Sequence, residues 1–185
     1  MLCRNLPGCA VLDVDTVAKD IYRKNPGIIS ELKKCFGECV IKDGSEVNFK
    51  ELAFKVFSSE ENLNKINSLM FPEIKKEVES IVENIRKNKK IKYLIIDAAV
   101  LFDSGIYSLC DFIILVKSSL KKRCRLLMEK NSMDYGEAMF RLKGQRINIK
   151  RKFLACTLSN TGDKKKLEDE IGEIAHMITG LSAGK

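Results

Sequence analysis

Residues 93–116 read YLIIDAAVLFDSGIYSLCDFIILV and contain two apolar runs, each bordered by an aspartate. The first run, residues 93–96, is closed by Asp97, and the second, residues 112–116, is preceded by Asp111. Apolar runs without polar alternation are typical of strands that are buried on both faces of a parallel sheet. The segment therefore predicts two buried parallel strands.

Helical segments alternate with strands along the rest of the chain. A short apolar run at residues 10–13 precedes a helical stretch at about 16–23, and a weak strand at 156–159 precedes a helix at 164–181. Further helices are expected at residues 28–36, from Ser118 or Ser119 to 130, and from Asp134 to about 145. This alternation predicts a three-layer, doubly wound α/β domain with a parallel sheet.

After a turn at residues 42–44, helices are expected up to the basic connection that precedes residue 93. Asn48 with Glu51, and Ser58 with Glu61, have the spacing of capping boxes and predict two short helices. Apolar positions at helical spacing after Pro72 predict a separate, longer helix.

Composition places the chain among ordinary globular proteins. It has 185 residues, of which 45% are hydrophobic and 31% charged, and this balance excludes a disordered or fibrous protein. No apolar run approaches the ~20 residues that cross a bilayer, and the first residues lack the order of a secretory signal. Seven scattered cysteines, an odd number, are expected to be reduced thiols in a cytoplasmic protein.

The net charge of +8 indicates an anionic partner. Phosphate esters and nucleic acid satisfy this charge equally well. The basic residues between 86 and 92 are not interleaved with aromatic residues, so a solvated connection is favoured there over a nucleic-acid patch.

Polar side chains follow several of the predicted strands. In an open α/β sheet, ligands bind at the carboxyl ends of the strands. The polar residues expected at those ends are Asp15, Asp97, Asp103 and Asn160.

Residues 12–19, LDVDTVAK, resemble the signature D-A-D-x-x-A-R of dephospho-coenzyme A kinases. The resemblance continues through residues 97–103, DAAVLFD, which are similar to the family's D-x-P-L-L-F-E. Residues 141–145, RLKGQ, match R-I-x-x-Q, and residues 160–162, NTG, match N-x-G. The landmarks keep the family's order and spacing over about residues 10–181.

The resemblance implies an enzyme that transfers the γ-phosphoryl group of ATP to the ribose 3′-hydroxyl of dephospho-coenzyme A, with Mg²⁺. It also implies one kinase-like domain over residues 1–185, with a helical substrate-covering subdomain at about 44–88 and a lid at about 131–152. Nucleic acid and membranes are not expected partners, and the chain is expected to be a monomer or a weak homo-oligomer.

The acceptor side of the implied site begins at Asp15, which would be the general base for the ribose hydroxyl. The alternative is that Asp15 only caps the following helix. Lys19, one helical turn later, stands at the family's arginine and would contact substrate phosphate or ribose. Phe71, at the family's histidine, and Leu101 would border the same substrate.

On the donor side, Arg141 would act from the lid on the transferring phosphoryl group and on ATP. Its alternative is an exposed helix charge. Asn160 and Gly162 would border the adenine pocket, or would form an ordinary turn. Asp97, at the end of a buried strand, would hold Mg²⁺ through water.

The chain also departs from the family pattern. Phe49, Phe71, Ala99 and Ala155 stand where the family has Arg, His, Pro and Asp. Nothing matches the P-loop G-x-x-x-x-G-K-[ST]. In a sheet of family order 2-3-1-4-5 the central first strand would therefore be absent from this chain, and we expect the chain to bind ATP very weakly.

Three other readings remain open on sequence alone. The first is an inactive or truncated homologue that binds a nucleotide or coenzyme A without catalysis. The second is another small-molecule kinase of the superfamily, and the third is a basic nucleic-acid-binding module.

Overall fold

The computed structural model describes residues 1–131, 134–144, 149–160 and 162–183. Strands and helices are interspersed along these residues, and a short 3-10 turn, Leu2–Asn5, precedes the first strand. The strands are β1 (Cys9–Asp13), β2 (Ile41–Lys42), β3 (Glu46–Val47), β4 (Tyr93–Asp97), β5 (Ile114–Lys117) and β6 (Cys156–Ser159). The helices are α1 (Val14–Lys24), α2 (Pro26–Phe36), α3 (Phe49–Phe57), α4 (Glu60–Arg86), α5 (Leu120–Asn131), α6 (Tyr135–Gly144) and α7 (Lys164–Ala183).

The strands of the described residues form three pairs. Strand β1 pairs with β4, and β5 pairs with β6 in parallel, with Leu115 opposite Thr157. The short antiparallel pair β2–β3 surrounds the turn at Asp43 and Gly44, both of which have positive φ. The α/β class and the parallel pairing that the sequence predicted are confirmed.

The prediction that the strands at residues 93–96 and 112–116 are buried on both faces is wrong. The first four residues of β4 are only half-buried, and Val116 in β5 is 59% exposed. The physical reason is that β4 has one hydrogen-bonded neighbour and β5 has one, within the part of the chain that the structure describes.

The chain divides into two compact units, which we describe separately. One unit contains Met1–Val11, Lys89–Ile95 and Leu109–Lys185. In this unit α7 packs against β6 around Leu158, Ile171 and Ile174. A second apolar cluster joins α5 and α6 through Cys124, Ala138 and Leu142.

The other unit contains Leu12–Asn88 and Ile96–Ser108, and its core is helical. Helix α1 packs on α4, and α3 packs on α4 as well. Leu32, Val40 and Val78 are fully buried there. The predicted helical subdomain at about 44–88 lies within this unit.

Helix α4 differs from its prediction because it is one helix of 27 residues that runs through Pro72. The sequence predicted a short helix and then a separate one after Pro72. Its N-cap is Ser59, whose hydroxyl accepts a hydrogen bond from the Asn62 backbone, rather than Ser58. Proline normally ends a helix because it lacks a donor and clashes with the preceding turn. Buried residues on both sides of Pro72, Met70 and Ile74 among them, offset that cost.

Other helix starts agree with the sequence. The Asn48 side chain accepts from the Glu51 backbone at the start of α3. Asp134 and Glu137 form a reciprocal capping box at the start of α6. The expectation of seven reduced cysteines is wrong for Cys3 and Cys9, which form a disulfide across the turn that precedes β1. No helix among the described residues has the length and apolar character of a membrane span.

Candidate active site

Asp13, at the end of β1, is the N-cap of α1. Its carboxylate accepts hydrogen bonds from the Asp15 backbone at 3.0 Å and from the Thr16 hydroxyl at 2.9 Å. The Thr16 hydroxyl is the main reason that the pKa of Asp13 lies below its ordinary value, and the backbone N–H groups of Asp15 and Thr16 and the charge of Lys19 act in the same direction. The helix consequently begins two residues earlier than predicted.

This capping arrangement excludes one of the two readings of Asp15, and the general-base role remains a prediction. Since Asp13 supplies the cap, Asp15 is a first-turn residue with an exposed side chain. Across the described residues no hydrogen bond or ion pair engages its carboxylate. The carboxylate is therefore available to accept a proton from a ligand, and the capping alternative for Asp15 is excluded.

Lys19 lies one turn further along α1 and is exposed. Side chains on a helix lean toward its N-terminus, and residues four apart lie on the same face. The influence of Lys19 on the Asp13 carboxyl is consistent with this direction. The start of α1 thus presents one uncommitted carboxylate with one cation beside it.

Asp97, at the carboxyl end of β4, is exposed and precedes a compact loop. Ser104 is buried, and its hydroxyl donates to the Val100 carbonyl at 2.7 Å. The Leu101 carbonyl accepts from the Tyr107 backbone at 3.1 Å, while the Leu101 side chain stays partly exposed. Gly105 closes the loop with a φ of +79°, which a side chain rarely adopts. Leu101 is therefore held on a well-bonded loop.

Phe71 lies in α4 next to the internal proline and is half-buried. Asp15, Lys19, Phe71, Leu101 and Asp97 all belong to the unit formed by Leu12–Asn88 and Ile96–Ser108. The sequence predicted all five as acceptor or metal residues, and their roles remain predictions.

The donor-side residues belong to the other unit. The Asn160 backbone donates to the Lys117 carbonyl at 2.8 Å and so continues the β5–β6 pairing. The Lys122 ammonium, near the start of α5, donates to both the Asn160 side-chain oxygen and the Asn160 carbonyl. Lys122 thus connects Asn160, directly after β6, to the helix that follows β5.

Lys122 was not predicted from the sequence. The available signal was its place three residues after Ser119, whose hydroxyl caps α5 by accepting from the Lys122 backbone. Gly162 has a φ of +114°, which explains a glycine in this turn. A cavity of about 240 Å³ beside the β5–β6 pair is lined by Leu115, Lys117, Ile149, Leu154 and Thr157.

Arg141 lies in α6, within the predicted lid region. Part of that region, residues 132–133 and 145–148, lies outside the described residues, as does Thr161. The lid and the role of Arg141 therefore remain predictions.

The Asp97 carboxylate fits a magnesium ligand in its chemistry, because Mg²⁺ prefers oxygen ligands and keeps most of its waters when one or two carboxylates bind it. Among the described residues no three His, Cys, Asp or Glu side chains form a metal cluster.

Comparison with known proteins then decides the family. A sequence model described as CoaE, dephospho-CoA kinase, matches residues 3–166. The chain belongs to this family. A dephospho-CoA kinase of Bacillus licheniformis is 25% identical over 169 residues, covering 90% of this chain and 83% of the relative.

Two solved structures have folds similar to that of this chain. TT1252 from Thermus thermophilus superimposes with a TM-score of 0.65 and 26% identity, covering 92% of this chain and 85% of that one. The dephospho-CoA kinase from Campylobacter jejuni gives a TM-score of 0.60 at 20% identity, covering 95% and 87%, which supports the fold.

Proposed function

We propose that this chain transfers the γ-phosphoryl group of ATP to the ribose 3′-hydroxyl of dephospho-coenzyme A. Membership of the dephospho-CoA kinase family supports the reaction. The observation that carries the proposal is the Asp15 carboxylate, which the Asp13 cap leaves exposed and uncommitted. A ribose hydroxyl is a weak nucleophile, and a nearby carboxylate can accept its proton as the new bond to phosphorus forms.

The other predicted residues have complementary parts in this proposal. Lys19 neutralises phosphate charge on the acceptor, and Phe71 and Leu101 border it. Arg141 stabilises the charge on the transferring phosphoryl group, as cations do in phosphoryl transfer. Bound Mg²⁺ would supply further neutralisation, with Asp97 as its ligand through water.

On the donor side, Asn160 and Gly162 would border the adenine of ATP. The bonds from Lys122 support this assignment because they hold Asn160 against the start of α5. A residue that is already held in place loses little conformational entropy when it binds a nucleotide.

We also propose the family strand order 2-3-1-4-5. In this order β1, β4, β5 and β6 correspond to the family's strands 2, 3, 4 and 5. The pairs β1–β4 and β5–β6 support this order, because they are the two outer pairs that remain when the central place is left open. In the same proposal the chain is a single kinase-like domain with a lid at about 131–152, and it works in the cytoplasm as a monomer or weak homo-oligomer.

The reaction can be tested with a panel of acceptors. Two forms are compared: the chain alone, and the chain extended by the residues encoded immediately upstream. Each is incubated with Mg²⁺, ATP and one acceptor, which is dephospho-coenzyme A, AMP, pantetheine or a short RNA. We expect the extended chain to phosphorylate dephospho-coenzyme A and none of the other acceptors, whereas the chain without the extension, in which nothing matches the P-loop, should show no measurable transfer. Phosphorylation of another acceptor in preference, or RNA binding without any transfer, would contradict the proposal.

A further inference from the structure

Three side chains on one face of α1 form a continuous stripe. Asp15, Lys19 and Tyr22 are spaced at i, i+4 and i+7, so they follow one another along the same side of the helix. At 1.5 Å per residue they span about 10 Å along the axis. The buried residues of α1, Val14 and Ile21 among them, lie on the other side of the helix. The stripe therefore faces away from the residues that α1 buries, with Asp15 and Lys19 exposed and Tyr22 half-buried.

The aromatic end of this stripe is extended by a second ring. Phe49, the first residue of α3, meets Tyr22 edge to face, with ring centroids 5.5 Å apart and an interplanar angle of 75°. Phe49 is 43% exposed although it makes this contact. Burial raises the pKa of the Tyr22 phenol to about 12, so this residue carries no charge at neutral pH. The pair offers an uncharged, partly exposed aromatic surface.

The order of chemistry along the stripe is carboxylate, then cation, then aromatic surface. The proposed acceptor has the same order of groups: a ribose 3′-hydroxyl, a 5′-diphosphate and then the pantetheine arm with its two geminal methyl groups. The adenine branches from the ribose and does not lie on this line.

We propose that Tyr22 and Phe49 hold the pantetheine arm of the acceptor, with the diphosphate at Lys19 and the ribose hydroxyl at Asp15. This inference rests on the proposed function for the identity of the acceptor. Phe49 stands where the family's pattern has arginine, and a phenyl ring cannot pair with phosphate. It can cover methyl groups, because an exposed ring face gains apolar contact when they pack on it.

The first test is a proton NMR titration of the chain with dephospho-coenzyme A. Methyl groups that pack on an aromatic face resonate upfield, so the two pantoyl methyl signals should move upfield on binding. The shift should be lost in Phe49→Leu. Phe54→Leu is the matched control, because Phe54 lies on the same helix and is 73% exposed, and this variant should keep the shift.

The second test separates the arm from the nucleotide. Calorimetry should show that Phe49→Ala weakens dephospho-coenzyme A binding about 3- to 10-fold, the range expected for an aromatic contact. The inhibition constant of ADP, which lacks the arm, against dephospho-coenzyme A binding should not change. Equal weakening of both ligands, a persistent methyl shift in Phe49→Leu, or no binding of dephospho-coenzyme A would overturn the inference.

Neither measurement requires turnover, so the two proposals can fail separately. An extended chain that binds the arm as described but transfers no phosphate would contradict the proposed reaction only. An active enzyme whose affinity for dephospho-coenzyme A does not change when Phe49 is substituted would contradict this inference only.

Discussion

Two aspartates that are two residues apart carry different tasks at the start of α1. Asp13 is committed to the cap through its bonds to Asp15 N–H and Thr16 Oγ1. Asp15 is left with an exposed carboxylate. Without the Asp13 carboxylate, the free N–H groups in the first turn of α1 would need another side chain as their hydrogen-bond acceptor. The capping residue thereby keeps the second carboxylate available for chemistry.

The cap predicts a stability change in Asp13→Ala. Loss of an Asp N-cap lowers the free energy of unfolding by about 0.5–2 kcal/mol at pH 7. Asp13→Asn should lose less, because the Asn side chain also accepts from the backbone. Urea unfolding followed by circular dichroism measures both variants, and equal stability of Asp13→Ala and the parent would contradict the cap.

The same residue gives a pH dependence. The pKa of Asp13 is lower in the folded chain than its ordinary value of 3.8, so its charge stabilises the fold at pH values above 3.8. That contribution is lost as the pH falls through the folded-state pKa. The stability difference between the parent and Asp13→Asn should accordingly be constant near neutral pH and shrink below pH 3.8. A difference that grows on acidification would have the wrong sign.

Asp15→Asn tests the general base. The amide preserves the shape of the carboxylate but cannot accept the proton, so turnover should fall about 10²- to 10⁴-fold. The dissociation constant of dephospho-coenzyme A should stay close to that of the parent. Steady-state kinetics and calorimetry measure both quantities. They are carried out on the extended chain described for the acceptor panel.

Asp20→Asn is the control for this variant. Asp20 lies on the same helix and pairs with Arg23 at 3.4 Å and Lys24 at 3.8 Å on the surface. Exposed pairs of this kind contribute about 0–1 kcal/mol, so its turnover should match the parent. Similar kinetics for Asp15→Asn and Asp20→Asn would remove Asp15 from the mechanism.

Among the elements, α4 is the one whose local sequence opposes its structure. Pro72 sits in the interior of a 27-residue helix, beside Phe71. Proline there removes one backbone hydrogen bond and bends the helix. The packing of α1 and α3 against α4 maintains the helix on both sides of the proline.

Pro72→Ala should therefore increase the free energy of unfolding, by at most about 3 kcal/mol. Pro26→Ala is the matched control, because Pro26 is in the first turn of α2, where proline is tolerated and the change should be small. If straightening α4 moves Phe71, the Michaelis constant for the acceptor should rise in Pro72→Ala alone. Equal stability of both variants would show that Pro72 is not strained.

The bonds from Lys122 connect two elements at the proposed nucleotide site. Lys122→Met keeps a long side chain but removes both hydrogen bonds to Asn160. In the chain extended by the residues encoded upstream, we expect weaker ATP binding with little change in dephospho-coenzyme A binding. Lys121→Met, at the exposed neighbouring position, should alter neither, and an ATP affinity unchanged in Lys122→Met would exclude the positioning role.

Sequence patterns predicted elements better than they predicted burial. The runs at 93–96 and 156–159 became strands, and Asn48 and Asp134 capped the predicted helices, because these signals depend on neighbouring residues only. The single helix through Pro72 depends on packing with α1 and α3, which no local pattern reports. The motif alone singled out Asp15, whose role remains a prediction, whereas Lys122 and Tyr22 were missed because their partners are 38 and 27 positions away in sequence.

At the scale of the whole molecule, the open edges of β4 and β5 matter most. Each has one hydrogen-bonded neighbour among the described residues, and apolar side chains such as Val116 are exposed on them. The proposed strand order places a further strand at these edges. If residues encoded upstream supply such a strand, extending the chain by them should raise the free energy of unfolding by roughly 1 kcal/mol for each new backbone hydrogen bond.

A Gly-Ser extension of the same length is the control for this prediction. It should leave the unfolding free energy unchanged, because it adds no strand-forming residues. If both extensions behave alike in urea unfolding, the upstream residues do not complete the sheet, and the proposed strand order loses its support.

The position of the transferred phosphate tests the central claim most directly. The catalytically active form is incubated with Mg²⁺, ATP and dephospho-coenzyme A, and the product is followed by ³¹P NMR. We predict a new phosphomonoester signal coupled to the ribose 3′ proton, formed together with ADP and formed about 10²- to 10⁴-fold more slowly with Asp15→Asn. A phosphate at any other position, or no transfer from an enzyme that binds both substrates, would contradict the account.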